Sequence, residues 1–342
     1  MTKAPSVAAV ILNWNGLKYL EKFLPSVIAS TYPNLEIVVG DNASTDNSVA
    51  FLRENYPSVR VIINDQNYGF AGGYNRILEQ VDAEYFILLN SDVEVAANWI
   101  EPMVHMMESE PYIAVAQPKI LSFNKKDHFE YAGAAGGYID SLGYPFCRGR
   151  IFDTVEPDQG QYDDVSEIFW ASGAALFIKQ KNWIEIGGLD GDFFAHMEEI
   201  DLCWRLKNKG YMIVFSPKSK VYHLGGGTLN AESPFKTYLN FRNNLVLLQK
   251  NLPFGRACLV IFIRFGLDLL SLLKYLIDGK PKNAIAISKA HFYFLGNIFK
   301  NTKKARSIKI SDFNKKGLYK GSIVWQYFIK KKKTFSSLYK TI

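Results

Sequence analysis

The chain has 342 residues, 48% apolar and 21% charged, with a net charge of +7. That composition excludes a globally disordered chain and allows a sizeable core with a second unit beside it. Cys147, Cys203 and Cys258 show no paired spacing, which argues against a disulfide framework or a zinc cluster and fits reduced thiols in a cytoplasmic setting.

The first segment, SVAAVILNW, is too short and too β-branched for an export signal and predicts a first strand. LEIVVGD, VRVIIN, YFILLN and YIAVAQP repeat the pattern, and amphipathic stretches such as LKYLEKFLPSVIAS and STDNSVAFLREN separate the early strands. This alternation predicts an α/β fold with a mostly parallel, Rossmann-like sheet covered by helices on both faces. Beyond residue 120 the pattern loosens into Gly- and Tyr-rich loops. It recovers in EIFWASGAALFIKQ, in a helix from about Met197 to Lys209, and in a strand pair within YMIVFSPKSKVYHLGGG. Gly225, Gly226 and Gly227 mark a boundary, giving units 1–230 and 231–342, the second helical to about residue 300 and ending in a mobile basic tail at 330–333.

That second unit holds 22 Lys or Arg against 4 Asp or Glu. Its lysines interleave with long apolar runs, which suits an anionic membrane surface better than nucleic acid. Residues 257–277 have the length of a membrane span, but Arg264, Asp268 and Lys274 lie inside them. Central charges cost about 2.5–3.5 kcal/mol each on an insertion scale, so the expectation is a helix lying on the bilayer or forming a hairpin with 284–299.

Polar clusters close four consecutive strands: NWNG at 13–16, DNAS at 41–44, NDQNYGFAGGYN at 64–75 and NSD at 90–92. Four such tips on one sheet edge make a crevice of the kind that binds ligands in open α/β sheets. Asp41 suits a nucleoside, or equally a helix cap. Gly69, Gly72 and Gly73 precede a predicted helix, where backbone amides could approach a diphosphate. Asp92 could hold a divalent cation shared with phosphates, or start a turn. His223 ends a strand beside the Gly loop and is either its second ligand or a structural histidine. Glu198 and Glu199 open a helix behind Phe193 and Phe194; they could merely complement the helix dipole, or be tuned by burial toward general-base work. Asp201 and Arg205 read as a supporting i,i+4 ion pair.

In order, the motifs VILNWNG, VVGDNASTD, NYGFAGGYN, LLNSDVEV, WASGAALFIK, GGLDGDFFAHMEEIDLCWRL and VYHLGGGT resemble glycosyltransferase family 2, the inverting enzymes of GT-A fold, over roughly residues 6–230. The bacterial rhamnosyltransferase-like subgroup is the most similar. The resemblance implies nucleoside contacts from Asn13 and Asp41, and a donor site lined by Asn67, Gly72, Gly73, Asn75 and Asn90, with Trp170 shaping the sugar pocket. It implies a metal pair in Asp92 and His223, holding Mg2+ or Mn2+. Glu199 is then the base, with Glu198 as the alternative. Asn90 stands where the family often has Asp, and the base is Glu where many relatives have Asp. The implied partners are a nucleotide sugar, dTDP-L-rhamnose first and UDP-sugars second, and a saccharide or lipid-linked acceptor at the inner face of the cell membrane. A homodimer built on the C-terminal helices is the alternative to membrane docking, and nucleic acid is not expected. A nucleotidyltransferase, which lacks support in the weak loop NWNGLKYL, and a non-catalytic sugar-nucleotide binder are the competing functions.

Overall fold

The computed structural model describes residues 3–225, 233–307 and 313–338. The elements in chain order are β1 (Val7–Asn13), α1 (Leu17–Ile28), β2 (Leu35–Asp41), α2 (Ser48–Asn55), β3 (Arg60–Ile63), α3 (Gly69–Leu78), β4 (Tyr85–Asn90), β5 (Val93–Val95), α4 (Glu101–Ser109) and β6 (Ile113–Ser122). Four short strands follow, β7 (Gly137–Asp140), β8 (Pro145–Cys147), β9 (Arg150–Ile151) and β10 (Thr154–Val155). Then come β11 (Ser166–Ile168), β12 (Ala175–Lys179), α5 (Gln180–Ile186), α6 (Glu198–Lys207) and β13 (Met212–His223). The C-terminal part contains α7 (Pro234–Asn251), α8 (Phe254–Ile277), α9 (Pro281–Gly296), α10 (Ile298–Ser307) and β14 (Leu318–Tyr319).

The main sheet runs β11-β13-β6-β12-β4-β1-β2-β3, with β5 added to β13. β3, β2, β1 and β4 are mutually parallel, as the alternation of strands and helices predicts. β12 is antiparallel to both β4 and β6, and β11 and β5 are antiparallel to β13, so the sheet is mixed. Alternate residues enter opposite cores: Ala8, Val10, Phe86 and Leu88 on one face, Ala9, Ile11, Ile87 and Leu89 on the other. Burial on both faces is why these strands read as continuous apolar runs.

Three features differ from the sequence expectation. The strand pair expected at 211–227 is one strand, β13, whose register with β6 shifts between Ser216 and Lys220; the irregularity absorbs the polar stretch SPKSK without a turn. The loops at 137–155 form a second sheet, β10-β9-β8-β7-β14, closed by a strand from beyond residue 313. The expected boundary at Gly226 and Gly227 lies outside the described residues.

α8 explains its own internal charges. Its buried residues, Ala257, Val260, Arg264 and Asp268, recur at helical spacing on one stripe. Arg264 pairs with Asp268 at 3.4 Å and reaches the Leu142 carbonyl and Asn244, while Asp268 meets His291 of α9 at 3.0 Å. Arg264 and Asp268 therefore face the protein, while Lys274 is exposed and pairs with Asp278, and Leu259, Phe262, Leu269, Leu270, Leu273 and Ile277 face outward, exposed. No described helix is long and apolar enough to cross a membrane.

The two sheets meet where Trp170 lies over Gly137: the indole N–H donates to the Tyr138 carbonyl at 2.8 Å, and a Cβ on Gly137 would fall 2.2 Å from the ring. No side chain fits there. Gly137→Ala is expected to destabilise the chain by about 1–3 kcal/mol through overpacking, read as a lowered midpoint in urea unfolding.

Candidate active site

The tips of β1 and β2 are tied by side chains. Asn13 Nδ2 donates to Asp41 at 3.0 Å and to Ser44 at 3.2 Å, and the other Asp41 oxygen accepts the Ser44 amide at 2.8 Å. Asp41 thus forms a turn of its own and anchors Asn13, both being buried. Asn13 Oδ1 has no partner among the described residues, leaving one acceptor for a ligand N–H or O–H. Asn42, which sequence reasoning passed over, organises the next tip: it donates to Asn67 and to the Gly69 carbonyl and accepts from Asn64 and the Tyr68 amide.

The expected diphosphate cradle is differently built. Gly72 and Gly73 lie inside α3 rather than ahead of it, so their amides belong to the helix. At the helix start the Phe70 and Ala71 amides both donate to the Phe194 carbonyl, at 2.7 and 3.1 Å, and the Gly69 amide donates to Asn67. The amides that would attract an anion are occupied by the Phe194 carbonyl and Asn67. Asn75 is likewise engaged, exchanging two hydrogen bonds with the Leu189 backbone at 2.8 and 2.9 Å. Trp170 is 4% exposed, and its described contacts are with the core.

The tip of β4 carries the best-defined cluster. β5 pairs with β13 in a register that sets His223 opposite Val93, and this brings the imidazole to Asp92. Nε2 lies 3.1 Å from Asp92 Oδ1 and 3.4 Å from Asn90 Nδ2; Nδ1 lies 3.2 Å from Glu130. All three ionisable groups are buried. Burial pushes the imidazole pKa down, but the bonds to Asp92 and Glu130 prevail and raise it to about 10. Two ligands of one octahedral ion with arms of about 2.1 Å stand about 3.0 Å apart, close to the Asp92–His223 separation. A carboxylate on the far nitrogen is the usual means of fixing a metal-binding histidine. The donor set therefore fits a hard divalent cation sharing phosphate oxygens. Among the described residues no group of three or more His, Cys, Asp or Glu forms a complete metal cage, as expected where phosphates and water supply the remaining ligands. Glu130 sits in the irregular stretch HFEYAG, where nothing local signals it.

The acid pair opens α6 after a loop of unusual backbone. Phe194, His196 and Met197 have positive φ angles of 64°, 68° and 74°, conformations that cost about 1 kcal/mol or more each for residues other than glycine. Glu198 is buried and Glu199 half-buried, and each has one oxygen without a described partner. Burial raises the Glu199 pKa to about 7 against the lowering effect of backbone amides. Burial and then the Glu199 charge raise Glu198 well above the usual carboxylate range. His196, also unnoticed in the sequence, has an unpartnered Nε2, and burial lowers its pKa to about 4, so it is neutral.

The charges of Glu130 and Glu199 both act on the buried Cys147 thiol, and Lys236 on α7 feels Glu130 while its own charge acts on His196. A cavity of about 450 Å³ lies elsewhere, lined by Gly187–Gly191, Arg205, Lys209, Lys250 and Lys304. Its cations are paired with Asp190, Asp201 and Glu185, which leaves little charge to attract a diphosphate.

Comparison with known proteins agrees with this architecture. The family Glycosyl transferase family 2 matches residues 8–161. The N-acetylglucosaminyl-diphospho-decaprenol L-rhamnosyltransferase of Mycobacterium tuberculosis is 26% identical over 223 residues, 60% of this chain and 71% of that protein. The rhamnosyltransferase WbbL of Escherichia coli K12 is 22% identical over 224 residues, 64% of this chain and 83% of that one. Among solved structures, GalNAc-T7 with UDP, GalNAc and Mn2+ superposes with a TM-score of 0.56 at 19% identity, covering 73% of this chain and 48% of that one. A mannosyltransferase from Pyrobaculum calidifontis, in complex with GDP-Man and Mn2+, gives 0.51 at 14% identity over 90% of this chain and 83% of that one. The chain is a glycosyltransferase with a GT-A-like α/β fold, similar to glycosyltransferase family 2 over residues 8–161 and, at modest identity, to rhamnosyltransferases.

Glu130→Ala is expected to weaken Mn2+ binding by about 10- to 100-fold, the usual cost of removing a carboxylate behind a ligating histidine, measured by calorimetry in the presence of a nucleoside diphosphate.

Proposed function

We propose that the chain is an inverting transferase. It moves a sugar from a nucleotide-sugar donor to a hydroxyl of a saccharide or lipid-linked saccharide in bacterial surface polysaccharide synthesis. The observation that carries this is a half-buried carboxylate, Glu199, which opens α6 behind a loop bonded to the start of α3, with an oxygen left for a ligand and a pKa near neutrality. Kinship with named rhamnosyltransferases favours dTDP-L-rhamnose as the donor, and a UDP-sugar is the second choice.

Asn13 and Asp41 lie at the strand tips that face the nucleoside, with Asn90 beside the diphosphate end. Asp92 and His223 would hold a divalent cation, which when bound offsets negative charge on the diphosphate. Ionised Glu199 takes the proton of the acceptor hydroxyl as its oxygen bonds to the anomeric carbon. The bond from that carbon to the diphosphate oxygen breaks on the opposite face, and the nucleoside diphosphate leaves with the electron pair. One displacement inverts the anomeric centre. Glu198, held neutral, donates a hydrogen bond and keeps a second negative charge away from the attacking oxygen.

Residues 1–230 form the catalytic unit in this reading, and residues 231–342 the part that meets the membrane. The exposed apolar face of α8 continues through Ile285 and Phe292 of α9, and Arg256, Lys274, Lys282 and Lys289 belong to the same two helices. Apolar surface with neighbouring lysines matches the inner face of a membrane, where a lipid-linked acceptor is presented; each close basic residue adds about 1 kcal/mol.

Two measurements test this. Glu199→Gln is expected to lower kcat by about 10²- to 10⁴-fold, and the wild-type rate should fall about tenfold per pH unit below about pH 7, because the protonated carboxyl cannot accept a proton. An unchanged rate of sugar transfer in Glu199→Gln, assayed with dTDP-rhamnose and UDP-sugars, would remove Glu199 from the chemistry. For the surface, Phe262→Ser with Leu270→Ser is expected to weaken co-sedimentation with anionic vesicles by about tenfold or more, from the loss of two buried apolar side chains; equal binding would exclude α8 as the docking face.

A further inference from the structure

The loop that presents the acid pair is held by α7. Asn243, 1% exposed, directs Nδ2 at three carbonyl oxygens of that loop, Phe193 at 3.0 Å, Ala195 at 2.8 Å and His196 at 2.7 Å. Its Oδ1 accepts from Arg242 Nε at 2.7 Å, which fixes the amide so that its N–H groups face the loop. Arg242 itself donates to the carbonyls of Asp192 and Phe193 at 3.0 and 2.7 Å. Seven and eight residues on, on the same face of the helix, Lys250 meets Asp190 at 2.6 Å and Asp201 at 2.9 Å, and Asn251 donates to Asp201 at 2.9 Å. One helix thus grips the loop before its bend, along its length, and the helix behind it.

The gripped backbone is the strained one, with positive φ at Phe194, His196 and Met197. An extended or helical loop would aim the acid pair elsewhere, so some interaction must select this conformation over relaxed ones. Its carbonyls also accept from backbone amides: Phe70 and Ala71 on the Phe194 oxygen, Ala195 on the Phe193 oxygen and Asp201 on the Met197 oxygen, so the side-chain donors on the Ala195 and His196 oxygens come from Asn243. We infer that Asn243, supported by Arg242, is a positioning residue that holds the 192–197 loop in the conformation that buries and aims Glu199, so that the C-terminal helices complete the active site as well as flank it. This rests on the assignment of Glu199 as base, but the clamp itself is read out separately.

Asn243→Asp tests the clamp by keeping the shape and removing the donors, and Asn243→Ser is a milder second variant should the first fail to fold. The control is Asn244→Ala: Asn244 is equally buried but donates to the Gly143 carbonyl outside the loop. Hydrogen exchange should quicken in segment 193–199 in the Asn243 variants and not in the control. kcat should drop about 10- to 100-fold, the scale of a misplaced catalytic group, with the donor KM little changed, and the acid limb of the pH profile should move down as water reaches Glu199. Unchanged exchange in 193–199, or a lower melting temperature with kcat and acid limb as in the wild type, overturns the clamp. A Glu199→Gln enzyme of normal activity would overturn the base assignment while leaving the exchange result to decide the clamp.

Discussion

The burial of Glu198 and Glu199 side by side is the constraint around which the molecule is arranged. Neighbouring carboxylates away from water are unfavourable, and each here keeps an oxygen without a described partner. Nothing in that arrangement stabilises the fold, so its cost is offset by the surroundings. The first turn of α6 supplies the favourable end of a helix dipole. Deeper in the same helix, Asp201 is satisfied by Arg205 at 2.8 Å and Lys250 at 2.9 Å, and its pKa is lowered by those charges against the raising effect of burial. Carboxylates two and three residues apart thus have opposite environments, the pair with oxygens lacking a described partner and Asp201 locked between two cations.

The cation-type cluster depends on sheet topology in the same way. Asp92 and His223 are far apart in sequence, and only the antiparallel pairing of β5 with β13 makes them neighbours. Glu130 joins because its amide donates to the Ile120 carbonyl of β6, the strand beside β13. Backbone hydrogen bonds therefore set the geometry of all three side chains, which makes the cluster as rigid as the sheet edge that carries it.

Local sequence revealed what is locally encoded. Apolar β-branched runs fixed the central strands, because both faces of these strands are buried and alternation is absent. Asp92, His223 and the acid pair were legible since each ends or begins a periodic element. Glu130, Asn42 and Asn243 were not, because their roles come from partners tens of residues away and their own surroundings read as loop or helix surface. The second sheet escaped notice for a related reason: strands of two to four residues hold too little pattern, and β14 is supplied from the far end of the chain. The glycines of α3 misled in the opposite direction. Gly73 packs closely on Leu12, a Cβ there lying 3.0 Å from its methyl groups, a close helix-to-strand approach that looks in sequence like a phosphate loop.

The charges within α8 join the two halves of the molecule. Read as sequence, Arg264 and Asp268 count against a membrane helix; in the structure both are turned inward, which leaves the middle of the outer face apolar between the exposed Arg256 and Lys274. Arg264 bonds Asn244, and its chain neighbour Asn243 holds the loop before α6. An apolar surface suited to lipid and a carboxylate suited to proton abstraction are therefore separated by a single helix, α7. α8 in turn rests on α7, the helix whose Asn243 holds the loop before α6. That arrangement accounts for a basic, apolar C-terminal region joined so tightly to a GT-A sheet by buried polar contacts, where a detachable anchor would need only a linker.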